Sequence, residues 1–142
     1  MSGDKIYLDN CCYNRPYDDQ TQLRIELETK AKLHIQRQIV EKEYKLVSSI
    51  ILEFENDHNP YHLRKTVIRD FLQHAAEYVD KSEEVLTLAR EISKKGIKPK
   101  DATHLSCAIH AKCAYFITTD DKLLKYKDDR ITIINPIDFI MK

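Results

Sequence analysis

Acidic side chains recur at the places where an α/β chain gathers reactive groups. Asp9 closes the apolar run Ile6-Tyr7-Leu8, Asp120 follows Tyr115-Phe116-Ile117-Thr118, Asp101 lies just inside the segment opened by Pro99, and Glu53 and Glu55 follow Lys45–Ser49. Carboxylates suit a hard cation, because Mg²⁺ and Mn²⁺ take oxygen ligands and keep waters for further chemistry. Four such acids brought together without matching arginines would repel one another, and a bound cation removes that repulsion. Each acid also has a plainer explanation. Asp9-Asn10 is a turn former, Asp120-Asp121 could cap the next helix, and Asp101 is favoured by the first-turn dipole.

Other chemistries are poorly supported. The only glycines, Gly3 and Gly96, cannot assemble G-x-G-x-x-G or G-x-x-x-x-G-K, which excludes a glycine cradle for nucleotide phosphates. Cys11 and Cys12 are adjacent and Cys107 and Cys113 are six apart, so no C-x-x-C pair exists and all four read as reduced thiols, the last two as small core hydrophobes. Of the six histidines only His58 and His62 are four apart. Asn59-Pro60 interrupts that spacing and no H-E-x-x-H follows, so a zinc hydrolase has little support. His104, three residues after Asp101, falls on the same helical face and reads as a packing or hydrogen-bonding residue.

The elements that must position the acids alternate between two periodicities. Lys5–Asn10 reads as a strand. Leu23, Leu27, Ala31, Ile35 and Ile39 predict an amphipathic helix over Gln20–Tyr44, capped by Asp18 or Asp19. Lys45–Ser49 predicts a second strand, and Asn59-Pro60 a helix start with Asn as N-cap. A brief Tyr78-Val79 stretch precedes a helix opened by Asp80 or Ser82 and ended by Gly96. Pro99 opens the helix of Asp101. Tyr115–Thr118 is the clearest strand, followed by a short helix (Lys122–Tyr126), a strand (Ile131–Ile134) and a Pro136-led turn. Strands alternating with helices predict a parallel sheet covered on both faces, a three-layer α/β/α sandwich. Ligand sites in such sheets lie outside the carboxyl ends of the strands, where these acids fall.

The chain has 142 residues, enough for one domain over 1–142, and 23 basic against 23 acidic side chains. Neutrality argues against binding through bulk charge, and the scarcity of glycine argues against turn-rich sandwiches and barrels. No apolar stretch resembles a secretory signal or approaches a membrane span, so the expected location is the cytoplasm.

The order of these motifs resembles a PIN domain, the metal-dependent ribonuclease fold. The resemblance rests on Ile6-Tyr7-Leu8-Asp9-Asn10, extended by Asn14-Arg15-Pro16 and Asp18-Asp19, on Ser49 through Glu55, on Asp101-Ala102-Thr103-His104, and on Thr118-Thr119-Asp120. It implies Mg²⁺ or Mn²⁺ held by Asp9, Asp101 and Asp120, with Glu55 as the remaining acid. Counting from Ser49 selects Glu55 over Glu53, and about 200° of helix separates the two. Thr118 resembles the hydroxyl residue that supports such a site, with Asn10 beside it. Asp121 is a further supporting acid or the cap of its helix, the cap being the preferred reading. The implied chemistry is in-line attack of a cation-activated water on the phosphorus of RNA. Lysines flanking Asp101 and Asp120, with Arg64 and Lys65, could meet phosphate, although solvated helix faces explain most of them. Arg15, in the loop after Asp9, is the best single candidate for a substrate phosphate contact.

The resemblance extends to the toxin of a toxin-antitoxin pair, with an antitoxin partner. It extends also to a homodimer, to which Leu63, Val67 and Phe71 would contribute surface unless the core claims them. Two alternatives compete. One is a catalytically weak PIN domain that binds RNA or protein. The other is a receiver-like phosphoacceptor domain, which also places acids at strand ends but wants an aspartate after its third strand and a lysine after its fifth.

Overall fold

A computed structural model of the chain describes residues 3–142. Five strands form one parallel sheet: β1 (Lys5–Leu8), β2 (Lys45–Ser49), β3 (Glu77–Val79), β4 (Tyr115–Ile117) and β5 (Thr132–Ile134), in the order β3-β2-β1-β4-β5. The helices are α1 (Asn10–Asn14), α2 (Leu23–Val40), α3 (Ile50–Asp57), α4 (His62–Leu72), α5 (Glu83–Ser93), α6 (Pro99–His110), α7 (Asp121–Lys125) and α8 (Pro136–Ile140), with a 3₁₀ turn at Arg15–Tyr17. The chain walks outward from β1 to β3, crosses back over the sheet to β4, and continues to β5. Right-handed crossovers therefore place the helices on opposite faces, giving the expected three layers. One layer packs α2 against α8 and the other packs α5 against α6.

β1 is central and buried on both faces, so it reads Ile6-Tyr7-Leu8 without a polar alternation, and all three are fully buried. Tyr7 lies flat on Phe116 of β4, their ring centroids 5.3 Å apart. This order also sets aside the receiver-like alternative, in which β1 would lie between β2 and β3 rather than between β2 and β4.

Several boundaries differ from the sequence reading. The long helix is shorter than Gln20–Tyr44 and its N-cap is Gln22, without a side-chain cap bond. Asp19 instead closes a local turn by accepting from the Thr21 amide and hydroxyl. Its stripe also departs from expectation, since Leu23 and Leu27 are exposed while Glu28, Ala31, Ile35 and Ile39 are buried. A four-residue repeat drifts about 40° per step around a helix, so it cannot face one core throughout. Asn59-Pro60 does not start a helix. Asn59 Oδ1 accepts from the Tyr61 amide, and α4 begins only at His62. Of the two residues read as opening α5, Ser82 is the cap, accepting from the Val85 amide, and α6 begins at Pro99 as read. Gly96, expected to end α5, lies two residues beyond its C-cap Lys94, in the turn that follows, and has φ +97°, a left-handed value that glycine adopts without strain.

Candidate functional site

The sheet order changes direction between β1 and β4, which opens a crevice at their carboxyl ends. Leu8 pairs with Ile117, and the Asp9 amide continues the ladder by donating to the Ile117 carbonyl at 2.9 Å, so Asp9 stands level with the start of the β4–α7 loop. Asp9 is also the N-cap of α1, its Oδ1 accepting from the Asn10 amide at 2.8 Å. Its other oxygen accepts from the Thr118 hydroxyl at 2.8 Å. Thr118 is fully buried and in turn accepts from the Asp120 amide at 3.1 Å, so one hydroxyl ties two of the four acids together. Asp120 uses a single oxygen, Oδ1, to cap α7 through the Lys122 and Leu123 amides. The preferred cap reading for Asp121 is therefore corrected. Asp121 lies one residue too late to cap α7, and its carboxylate makes a two-pronged ion pair with Arg24.

The β2 side supplies Glu55. Ser49 caps α3 through the Leu52 amide, and the helix turns Glu53 and Glu55 to different neighbours. Glu53 accepts from the exposed Tyr78 hydroxyl. Glu55 accepts from His104 Nε2 at 2.5 Å and pairs with Lys100 at 3.3 Å. Behind it, His104 Nδ1 lies 2.6 Å from the Tyr7 hydroxyl, which lies 2.6 Å from Ser49 Oγ. An ionised Glu55 can only accept, so His104 carries its proton on Nε2. In the neutral imidazole Nδ1 accepts from Tyr7, and Ser49 donates to Tyr7. The buried core thus fixes the orientation of a half-buried acid through an unbroken line of hydrogen bonds.

The electrostatics of the acids differ in a telling way. Burial, and then the negative charge of the neighbouring Cys11 thiolate, push Asp9 up to about 8, although bonds from Thr118 and Asn10 pull the other way. Burial and the charges of Asp120 and Glu55 raise Asp101. Burial opposes ionisation of Glu55 too, but the His104 and Lys100 partners prevail and hold it below the ordinary carboxylate range. Among the described residues no lysine, arginine or histidine forms an ion pair with Asp9, Asp101 or Asp120. The donors fit a hard cation chemically, being carboxylates whose mutual repulsion is expressed in Asp101. Among the described residues no three acidic, histidine or cysteine side chains are already drawn in to metal-binding distance.

Two residues of this crevice lay outside the sequence reading. Cys11, on the first turn of α1, has its Sγ 3.5 Å from Asp9 Oδ2 and 3.4 Å from Thr118 Oγ1. No spacing rule in the sequence pointed to it. Arg24 reaches the Thr119 carbonyl at 2.9 Å as well as Asp121. Arg15, expected at substrate phosphate, is instead engaged within the protein. Its Nε and Nη2 meet the buried Glu28, and its Nη1 meets Asp18. Of the three residues named for a dimer surface, Leu63 and Val67 are exposed whereas Phe71 packs against the core.

Residues 24–129, about three quarters of the chain, match the PIN domain family, and the chain belongs to it. The match includes Glu55, Asp101 and Asp120, and Asp9 precedes it. Members of this family are generally nucleases that use divalent metal ions. Seven chains of solved structures are similar in fold. One belongs to the crystal structure of VapBC2 from Rickettsia felis bound to a DNA fragment from their promoter. It has a TM-score of 0.59 and 16% identity, and the alignment covers 92% of this chain and 98% of that one. No curated protein sequence matches the chain. Among the described residues no helix is long and apolar enough to cross a membrane.

Proposed function

We propose that this PIN domain is a metal-dependent endoribonuclease that hydrolyses RNA phosphodiester bonds, with Asp9, Glu55, Asp101 and Asp120 holding Mg²⁺ or Mn²⁺. The observation that carries the reading is a buried Asp9, neutralised by no protein cation, in a crevice with acids whose charges already raise Asp101. A divalent cation held there supplies the Lewis acidity that lowers the pKa of water and neutralises charge developing on phosphoryl oxygens.

The chain's own residues do the positioning. Asn10 and Thr118 aim the two Asp9 oxygens, and Thr118 also fixes the backbone at Asp120. His104, backed by Tyr7 and Ser49, sets the orientation of Glu55. Asp121 acts indirectly, tying the start of α7 to α2 through Arg24. Arg15 helps hold α2 against the 3₁₀ turn that follows α1, which is a scaffolding role more than a substrate contact. The family and the VapBC structural neighbour support a cytoplasmic toxin neutralised by an antitoxin protein, with Leu63 and Val67 offering apolar surface for a second copy.

The test is cleavage of mixed single-stranded and structured RNAs with Mn²⁺ or Mg²⁺, with chelator, and with the Asp9→Asn and Asp101→Asn variants. Cleavage that ignores the chelator, or that survives both substitutions, would sink the mechanism. Growth arrest on expression, relieved by Asp9→Asn, is the expected signature of a toxin.

A further inference from the structure

A cavity of about 460 Å³ adjoins the acids and shares Glu55 and Lys100 with them. Its other walls are unusual for a charged protein surface. Phe54 and Tyr61 line it and are each 55% exposed, so two large rings are left facing water. Phe54 is held in place, because the His58 ring packs on it at 4.3 Å and His58 Nδ1 is 2.8 Å from the Phe54 carbonyl. Arg64 also lines the cavity. Its guanidinium lies 3.9 Å from the centroid of Tyr61 and 4.8 Å from that of Tyr17, and no carboxylate among the described residues pairs with it. A cation steadied by rings rather than by an acid keeps its N–H donors for an external anion. Asn14 donates to the carbonyl and side-chain oxygens of Asn10, which orders two cavity-lining amides while leaving Asn14 Oδ1 and Asn10 Nδ2 for a ligand.

An apolar peptide side chain would satisfy the rings but not the arginine, and an acidic one would satisfy the arginine but not the rings. A nucleotide carries a π-face and an anion together, and every base offers that face. In a duplex the face is already covered by its neighbours, so a platform of this kind takes an unpaired base. We infer that this cavity is a subsite for one unpaired nucleotide next to the bond to be cut, its base stacking against Phe54 and Tyr61 and its phosphate received by Arg64. The subsite rests on the ribonuclease reading for its neighbour, and it makes single-strandedness beside the cut a requirement of the substrate.

The experiment separates binding from cleavage. A short fluorescein-labelled single-stranded oligoribonucleotide and its matched duplex are titrated with the full chain in chelator, and anisotropy gives the affinities. Phe54→Leu and Tyr61→Leu are each expected to weaken single-strand binding roughly tenfold with little change for the duplex, with Phe54→Tyr and Tyr61→Phe restoring it. Arg64→Gln is expected to weaken binding and flatten its salt dependence. Both rings are exposed, so unchanged circular dichroism should accompany the loss. Wild-type affinity in the ring variants, or equal loss for strand and duplex, overturns the subsite; in the first case the rings are left for a protein partner such as an antitoxin. Wild-type protein that binds the strand but never cleaves it with Mn²⁺ overturns the nuclease reading and leaves the subsite standing. Cleavage with ring variants that bind normally does the reverse.

Discussion

Asp9 and Glu28 are buried to nearly the same depth, at 5% and 0% exposure, and are treated by the protein in opposite ways. Glu28, on α2, is saturated. One oxygen accepts from Arg15 Nε and Nη2, the other from Arg24 Nε at 3.0 Å and Asn135 Nδ2 at 2.6 Å, so two cations and an amide enclose it. Asp9 receives an amide, a hydroxyl and, at 3.5 Å, the Cys11 sulfur, and forms no ion pair with a lysine, arginine or histidine among the described residues. A buried carboxylate costs several kcal/mol of desolvation unless it is compensated. Glu28 is compensated from within and holds α2, the Arg15 turn and α8 together. Asp9 is compensated only by protonation or by a cation from outside, which separates a scaffold acid from the proposed site acid at equal burial.

Exchanging the two roles should fail in predictable ways. Asp9→Asn is expected to reduce RNA cleavage about a thousandfold or more, since a ligand of the cation is worth several kcal/mol to the transition state, while leaving the melting temperature equal or higher. Single-turnover cleavage and thermal denaturation on the same preparation check both halves. Glu28→Ala should do the opposite. It strands two guanidiniums that are partly exposed, so the loss should fall near the lower end of the range for broken buried pairs, about 3 kcal/mol, read as a shifted denaturant midpoint. Cleavage per folded molecule should persist.

The pH dependence carries the same contrast. Asp9 titrates near 8 in the folded chain, against an ordinary value of 3.8, so between these pH values the native state holds a proton that the unfolded state has released. Stability in chelator should therefore fall as pH rises from about 4 to about 6, above which ionisation of Cys11, held down to about 6 by hydrogen bonds from Cys12 and Thr118, offsets further loss, and Asp9→Asn should remove that slope. Mn²⁺ should restore stability at the upper end for wild type and much less for the variant, a difference that melting scans with and without metal would reveal. The smallest expected effect belongs to Arg24→Ala. Arg24 is about half exposed and solvent screens its pairs with Glu28 and Asp121, so roughly 1 kcal/mol of stability should be lost. A larger fall in cleavage than in stability would show that the Arg24 tie to Asp121 and Thr119 also positions Asp120.

Much of this was legible in the sequence because its signals are local. Short β-favouring runs, the Pro99 start and the capping hydroxyl at Ser82 act within a turn of the residue concerned; the Pro99 start formed as read, Ser82 rather than Asp80 took the cap, and α5 stopped two or three residues before Gly96. The misreadings came from contacts that no local pattern contains. Asp18 and Asp19 look like caps until Arg15 and Thr21 claim them. Leu23 and Leu27 look like core until Glu28, turned inward by two arginines, takes the buried face.

By itself the sequence determined the alternation of strand and helix, the parallel sheet, and the placement of Asp9, Asp101 and Asp120 at strand ends and helix starts. These follow from hydrophobic period and from the affinity of carboxylates for free backbone N–H groups. Only the tertiary structure decided which acids go unneutralised, because nearness in the chain does not decide the pairing: Lys100 adjoins Asp101 but pairs with Glu55 of α3. Arg15 and Arg24 reach Glu28 and not Asp9, Lys100 and His104 reach Glu55, and Arg64 is held on the rings of Tyr17 and Tyr61 beside the crevice. Coulomb attraction and desolvation act through space, and the fold alone sets those distances.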